Sequence, residues 1–180
     1  MALDICRHLR LYFFDYTILM SFWKRQKPLG AGGDAPDFRL ARLDGGEVTL
    51  AELTASRPVL LAFFKISCPV CQMTLPFLQR LHTAGKLAVY GISQNQAADT
   101  RDFLAEFGIS FPVLLDPEDR YPASNAYEIT HVPTLFWIEP GLKIGRVIEG
   151  WVKAEIEWLG ELAGIQVIGP DERVPLLRPG

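Results

Sequence analysis

Hydrophobic residues in this chain come in short runs that alternate with longer stretches of helical spacing. The run Val59-Leu60-Leu61-Ala62-Phe63-Phe64 is wholly apolar and reads as a buried central strand launched by Arg57-Pro58. Before it, Phe38 to Leu43 and Glu47 to Leu50 flank an Asp44-Gly45-Gly46 turn, which predicts a β-hairpin. Ala51-Glu52-Leu53 then predicts a short helical turn. After it, Val70, Met73, Phe77, Leu78 and Leu81 recur on one helical face, so Pro69 to about Thr83 reads as an amphipathic helix. Pro69 suits the first turn, where a missing N–H costs nothing, whereas Pro76 falls inside and should kink the helix.

The alternation continues to the end of the domain. Leu87 to Ser93 predicts a strand, Ala97 to Phe107 a helix ended by Gly108, and Phe111 to Leu115 a further strand. Asp116-Pro117-Glu118-Asp119 reads as a turn and Tyr121 to Tyr127 as a short helix. Leu135 to Ile138 and Lys143 to Gly150, joined through Glu139-Pro140-Gly141, predict two antiparallel strands. Lys153 to Ala163 predicts a closing helix with Ile156, Leu159 and Leu162 on one face. Alternating strands and helices imply an α/β fold whose mixed central sheet is at least partly parallel and is flanked by helices. Residues 33–168 then form one domain, with an extension and linker at 1–32 and a tail at 169–180, which carries three prolines and predicts no regular element.

Composition narrows the function. At 180 residues and 49% hydrophobic content the chain can bury a full core without disulfide staples. A net charge of −3, with no basic stripe, argues against a nucleic-acid partner. In the N-terminal extension the apolar stretch Leu9 to Trp23 is interrupted by Asp15 and is shorter than the ~20 residues a membrane span needs. Arg7, His8 and Arg10 precede it as in a signal peptide, but Lys24-Arg25-Gln26-Lys27 follows with no small-residue cleavage site. That leaves a cytoplasmic protein as the expectation, with export, a membrane-surface helix, or translation from Met20 as alternatives.

Candidate chemistry sits where the central strand meets the next helix. Cys68-Pro69-Val70-Cys71 places the first sulfur at a helix N-terminus, where unpaired N–H groups and the helix dipole stabilise a thiolate. Cys68 is therefore the expected nucleophile, and Cys71, one turn further in, the resolving thiol. No second Cys/His pair at zinc spacing accompanies them, so redox chemistry is favoured over a metal site, and no bound cofactor is expected. Lys65 either favours the Cys68 thiolate or snorkels at the strand end; Ser67 and Pro69 flank the nucleophile. Cys6, alone in the extension, is read as incidental.

With these motifs the chain resembles the thioredoxin-fold superfamily, in the branch holding the alkyl hydroperoxide reductase/thiol-specific antioxidant family and the TlpA-like disulfide reductases. The resemblance rests on Gly33-Asp34-Ala35-Pro36-Asp37-Phe38 and its hairpin, the strand-Cys68-Pro69-Val70-Cys71-helix unit, Pro76, Val132-Pro133-Thr134 before a strand, and the final hairpin and helix. It implies a thioredoxin fold with an N-terminal β-hairpin and an extra strand-helix insertion. It also implies that Pro133 is a cis-proline facing the cysteines. Val132, Pro133 and Thr134 would then bind substrate, the Val132 backbone pairing with a substrate strand. The implied activity is thiol-disulfide exchange by a monomer, between a disulfide- or dithiol-bearing protein partner and an upstream electron donor.

The chain departs from the pattern at three places. Ala62 stands where thioredoxin has a buried acid, Ser67 where it has Trp, and Thr74 where some TlpA-like reductases have Glu. The proton acceptor usual for the resolving thiol is thus missing or comes from elsewhere. His131 lies two residues before Pro133 and is expected to pack in its loop. Two other functions compete. A thiol peroxidase needs Pro-x-x-x-Thr/Ser-x-x-Cys, and counting back from Cys71 finds Cys68 and Phe64 at the two key positions. A redox-sensing or Cu(I)-carrying module would use the two thiols as soft ligands.

Overall fold

The computed structural model describes residues 29–180; the expectations for the extension, including Cys6 and Met20, lie outside the described residues. At the centre is β3 (Val59–Phe64), all six residues fully buried. Its side chains alternate between two cores, as the pleat requires: Leu60, Ala62 and Phe64 on one face, Val59, Leu61 and Phe63 on the other. Such a strand must be covered on both sides, which is why its sequence is continuously apolar rather than alternating.

Around it a seven-stranded sheet runs in the order β2-β1-β5-β4-β3-β6-β7. The N-terminal hairpin, β1 (Arg39–Arg42) and β2 (Glu47–Thr49), is antiparallel and joins the sheet through β5 (Val113–Leu115). Next, β4 (Ala88–Ser93) lies parallel to both β5 and β3. β6 (Thr134–Glu139) and β7 (Lys143–Glu149) close the other side antiparallel. Gly91, opposite Ala62, is needed for packing: a Cβ there would sit 2.9 Å from Phe64 Cε1 and 3.1 Å from a Phe111 ring carbon.

Helices cover both faces. α1 (Leu50–Leu53) is held by a capping box in which Thr49 Oγ1 accepts from the Glu52 N–H and the Glu52 carboxylate accepts from the Thr49 N–H. α2 (Pro69–Thr83) runs unbroken through Pro76, and buries Cys71, Thr74, Leu75, Phe77, Leu78 and Leu81 while Val70 and Met73 are half-buried. α3 (Ala97–Glu106) and α5 (Lys153–Ala163) share its face of the sheet; α4 (Pro122–Ala126) lies on the other. In α5, Ile156 and Leu159 face the core as expected but Leu162 does not: it is 43% exposed, and Gly160 and Ala163 complete the buried stripe. Gly164 ends the helix in the left-handed conformation.

The C-terminal residues differ most from the expectation of a loose tail. Just beyond the buried Val167 and Ile168 at the end of the domain, Arg80 holds Glu172 of the tail through two hydrogen bonds of 2.6 and 2.7 Å. β9 (Leu177–Arg178) then pairs antiparallel with β8 (Trp151–Val152). The Trp151 indole N–H donates to the Pro175 carbonyl at 2.7 Å, satisfying the polar atom of a fully buried side chain. Composition hid this segment because its partners, the Arg80 and Trp151 side chains and the main chain of β8, lie far away in sequence.

Candidate active site

β3 delivers the chain to the site, and Lys65-Ile66-Ser67 turns it into α2. That turn is fixed from both sides: the Ile66 N–H donates to Asn95 Oδ1 at 3.0 Å, and Gln72 Nε2 donates to the Ile66 carbonyl at 2.8 Å. Cys68 is the N-cap of α2, with extended φ and ψ of −85° and 115°. Its Sγ accepts from the Cys71 N–H at 3.2 Å and lies 3.1 Å from the Val132 carbonyl oxygen, to which the thiol donates. One sulfur therefore contacts a helix-terminal donor and the loop before β6 at once. Pro69, at the first helical position, contributes no competing N–H.

The two thiols, both free, sit in opposite environments. Cys68 is partly exposed and Cys71 is sealed in the core with Leu75 and Leu78. Burial pushes the Cys71 thiol pKa well above its ordinary value, and a hydrogen bond with Cys68 adds to the rise; no carboxylate is among its influences. Thr74, a helical turn away, turns its hydroxyl back to the Val70 carbonyl at 2.7 Å and is fully buried. Ala62 is sealed in β3 between Gly91 and Leu135.

The Val132–Pro133 peptide bond is cis. Pro133 O accepts from the Gly150 N–H at 2.7 Å, and Thr134 starts β6 opposite Phe63, with its hydroxyl donating to the His131 carbonyl at 2.9 Å. His131 packs in its loop: Nδ1 is 2.9 Å from Thr130 Oγ1 and Nε2 is 3.6 Å from a Glu149 carboxylate oxygen. Next to Cys68 opens a groove of roughly 500 Å³ lined by Lys65, Tyr121, Ser124, Asn125, His131 and Val132 among others. The Lys65 ammonium lies 5.5 Å from the centroid of the Tyr121 ring. Of the residues singled out in the sequence, Cys68, Lys65, Pro69, His131 and Val132 line this groove; Cys71 is buried, and Ser67 is exposed beside a second hollow on α3.

Among the groove residues that went unrecognised in the sequence are Gln94, Tyr121, Ser124 and Asn125. Two of them, Ser124 and Gln94, share one support. Asp116, fully buried, accepts from the Ala123 and Ser124 N–H groups at 3.0 and 2.7 Å, so its carboxylate anchors the start of α4. Ser124 Oγ in turn accepts from Gln94 Nε2 at 2.7 Å. Tyr121 takes the left-handed conformation, φ 44°, which holds its ring in the groove wall. An acidic residue just after a strand and before a Pro-started helix was the one available signal.

The model of the AhpC/TSA family matches residues 31–147, from ahead of the N-terminal hairpin to within β7. The chain belongs to the AhpC/TSA family. Among curated relatives of this AhpC/TSA chain is the thiol-disulfide oxidoreductase ResA of Geobacillus thermodenitrificans, 29% identical over 151 residues, or 82% of this chain and 85% of that one. ResA of Bacillus subtilis is 26% identical over 140 residues, covering 75% and 76%. Among solved structures, a putative thiol:disulfide interchange protein DsbE from Chlorobium tepidum is similar with a TM-score of 0.62 and 28% identity, over 73% of this chain and 94% of that chain. The peroxidoxin BcpB of Mycobacterium tuberculosis, at a TM-score of 0.61 and 19% identity over 74% and 93%, shares the fold.

Proposed function

We propose that this AhpC/TSA-family chain is a thiol-disulfide oxidoreductase acting on disulfides of protein partners. The Cys68 thiolate attacks one sulfur of the partner's disulfide; that S–S bond breaks, the other partner sulfur leaves and takes up a proton, and a mixed disulfide remains on Cys68. Cys71 then loses its proton and attacks the Cys68 sulfur, releasing the second partner thiol and leaving a Cys68–Cys71 disulfide. Two electrons pass to the partner, and an upstream dithiol donor returns them. Run backwards, the same steps oxidise a dithiol.

The observation that carries this reading is the placement of the Cys68 sulfur, partly exposed between the Cys71 N–H and the Val132 carbonyl with the second thiol sealed behind it. Val132 supplies a half-buried backbone edge beside the attacking sulfur, with Pro133 and Thr134 holding that edge to the sheet. Lys65 and Tyr121 form the opposite wall. No step needs a bound cofactor or a metal, and the chain acts as a monomer. Whether reduction or oxidation prevails depends on the dithiol potential, which among Cys-x-x-Cys proteins spans about −270 to −120 mV.

The peroxidase reading is weaker because Phe64, where a peroxidase has Pro, is a fully buried core ring stacked on Phe103. Among the described residues no helix is long and apolar enough to cross a membrane. The test is insulin reduction by the wild type and by Cys68→Ser: the variant should lose turnover, and full retention would rule the mechanism out. Peroxide consumption that needs Cys71 but not Cys68 would transfer the chain to the peroxidases.

A further inference from the structure

The C-terminal strand does not end against bare surface. Beyond β9 the chain runs to the edge of the Cys68 groove, which Gly180 lines. A Cβ placed on Gly180 would stand 2.6 Å from the Val132 carbonyl oxygen and 3.1 Å from His131 Cδ2. Residues 178–180 also pass so close to Gly150 that a Cβ there would meet Arg178 O at 2.4 Å and Gly180 N at 2.9 Å. The segment thus lies against the backbone edge next to the attacking sulfur, the same carbonyl that Cys68 Sγ contacts at 3.1 Å.

What holds it there is mostly main chain. The Lys153 N–H donates to Leu176 O at 2.9 Å, and β9 pairs with β8 at only two positions, Val152 with Leu177 and Trp151 with Arg178. The side chains bring little apolar burial: Leu176 is 79% exposed and Leu177 63%. A segment with few buried contacts opens at low free energy. Its upstream anchors, the Trp151–Pro175 and Arg80–Glu172 bonds, lie before the part that reaches the groove.

We propose that residues 176–180 gate the substrate groove and set its selectivity. Docked, they cover the Val132 edge, so an extended protein segment cannot pair there, while a small disulfide reaches Cys68 past Tyr121 and Asn125. Displaced, they expose the edge to protein substrates. The proposal rests on the reading of Val132 as the edge that pairs with substrate.

The test uses the full chain carrying Gly150→Asn, since Asn tolerates the left-handed φ of 69° and its Cβ drives the segment away. A chain lacking residues 177–180 serves as the second variant, and thermal unfolding by circular dichroism establishes that each is folded. Two quantities are read: kcat/KM for insulin relative to oxidised glutathione, and the rate at which a bulky polyethylene-glycol maleimide labels Cys68, located by peptide mass mapping. If the segment is docked about 90% of the time, its removal raises apparent affinity for the protein substrate roughly ten-fold, so the ratio should rise by up to that factor. Labelling should accelerate as well. Folded variants in which neither quantity moves overturn the gate and leave the Val132 reading standing. Faster labelling with an unchanged ratio overturns the pairing of substrate on Val132, and the proposal with it.

Discussion

At the scale of single residues, the proposed exchange turns on the difference between Cys68 and Cys71. Burial holds Cys71 protonated far above neutral pH, so the fraction able to attack the mixed disulfide is small and rises about ten-fold for each pH unit. When Cys71 attack limits turnover, single-turnover release of the second product thiol should therefore speed up about ten-fold per unit from pH 6 to 9. A plateau within that range would show that another group accepts the proton. Thr74 marks where such a group is missing in this chain. Tyr121 offers an independent test of backbone strain, since a non-glycine residue in the left-handed region costs roughly 1–2 kcal/mol. Tyr121→Gly should be more stable than Tyr121→Ala by about that amount in urea unfolding, because both lose the ring and only glycine relieves the backbone.

At the scale of elements, Asp116 organises the groove wall from beneath. Asp116→Ala leaves two buried N–H groups at the start of α4 without their acceptor and should cost about 2–4 kcal/mol in urea unfolding. The Arg80–Glu172 pair plays the corresponding part for the C-terminal segment. Its hydrogen bonds with Arg80 lower the Glu172 carboxyl to a pKa of about 2, below the usual carboxylate range. A lowered folded-state pKa means that the pair's contribution is complete above the unfolded value of about 4.5 and disappears as pH falls towards 2. At neutral pH, Arg80→Ala should speed tryptic cleavage at Arg173; an unchanged cleavage rate would show that the β8–β9 pairing alone secures the segment. The elements themselves were legible where local pattern sufficed. The bounds Pro69–Thr83 and Lys153–Ala163 follow from apolar spacing with proline and glycine stops. Leu162 was misplaced because a stripe of spacing does not reveal where the packed face ends. β9 was invisible because its partner strand is some 26 residues earlier, and a Pro-rich polar stretch carries no period of its own.

At the scale of the whole molecule, the fold brings two distant segments to one sulfur. Residues 63–71 and 131–134 are adjacent because β3 and β6 pair antiparallel, with Phe63 opposite Thr134. Both halves of the site were readable from sequence, Cys68-Pro69-Val70-Cys71 directly and Val132-Pro133-Thr134 through family resemblance. Other wall residues, Gln94, Tyr121, Ser124 and Asn125 among them, were not, because they meet only in the folded chain, where Asp116 holds Ser124, Ser124 accepts from Gln94 and the Asn125 N–H donates to the Tyr121 carbonyl. Phe63 ties the halves together, its ring 5.1 Å from that of Tyr127 and 5.8 Å from that of Phe136. Phe63→Ala should lower stability by about 3–5 kcal/mol, read by chemical denaturation. The central claim is that Cys68 attacks and Cys71 resolves, and trapping measures it directly. Incubated with insulin and analysed by intact mass without reductant, Cys71→Ser should accumulate a covalent adduct that peptide mapping places on Cys68, while Cys68→Ser should accumulate none. An adduct located on Cys71 in Cys68→Ser, with none on Cys68 in Cys71→Ser, would contradict it.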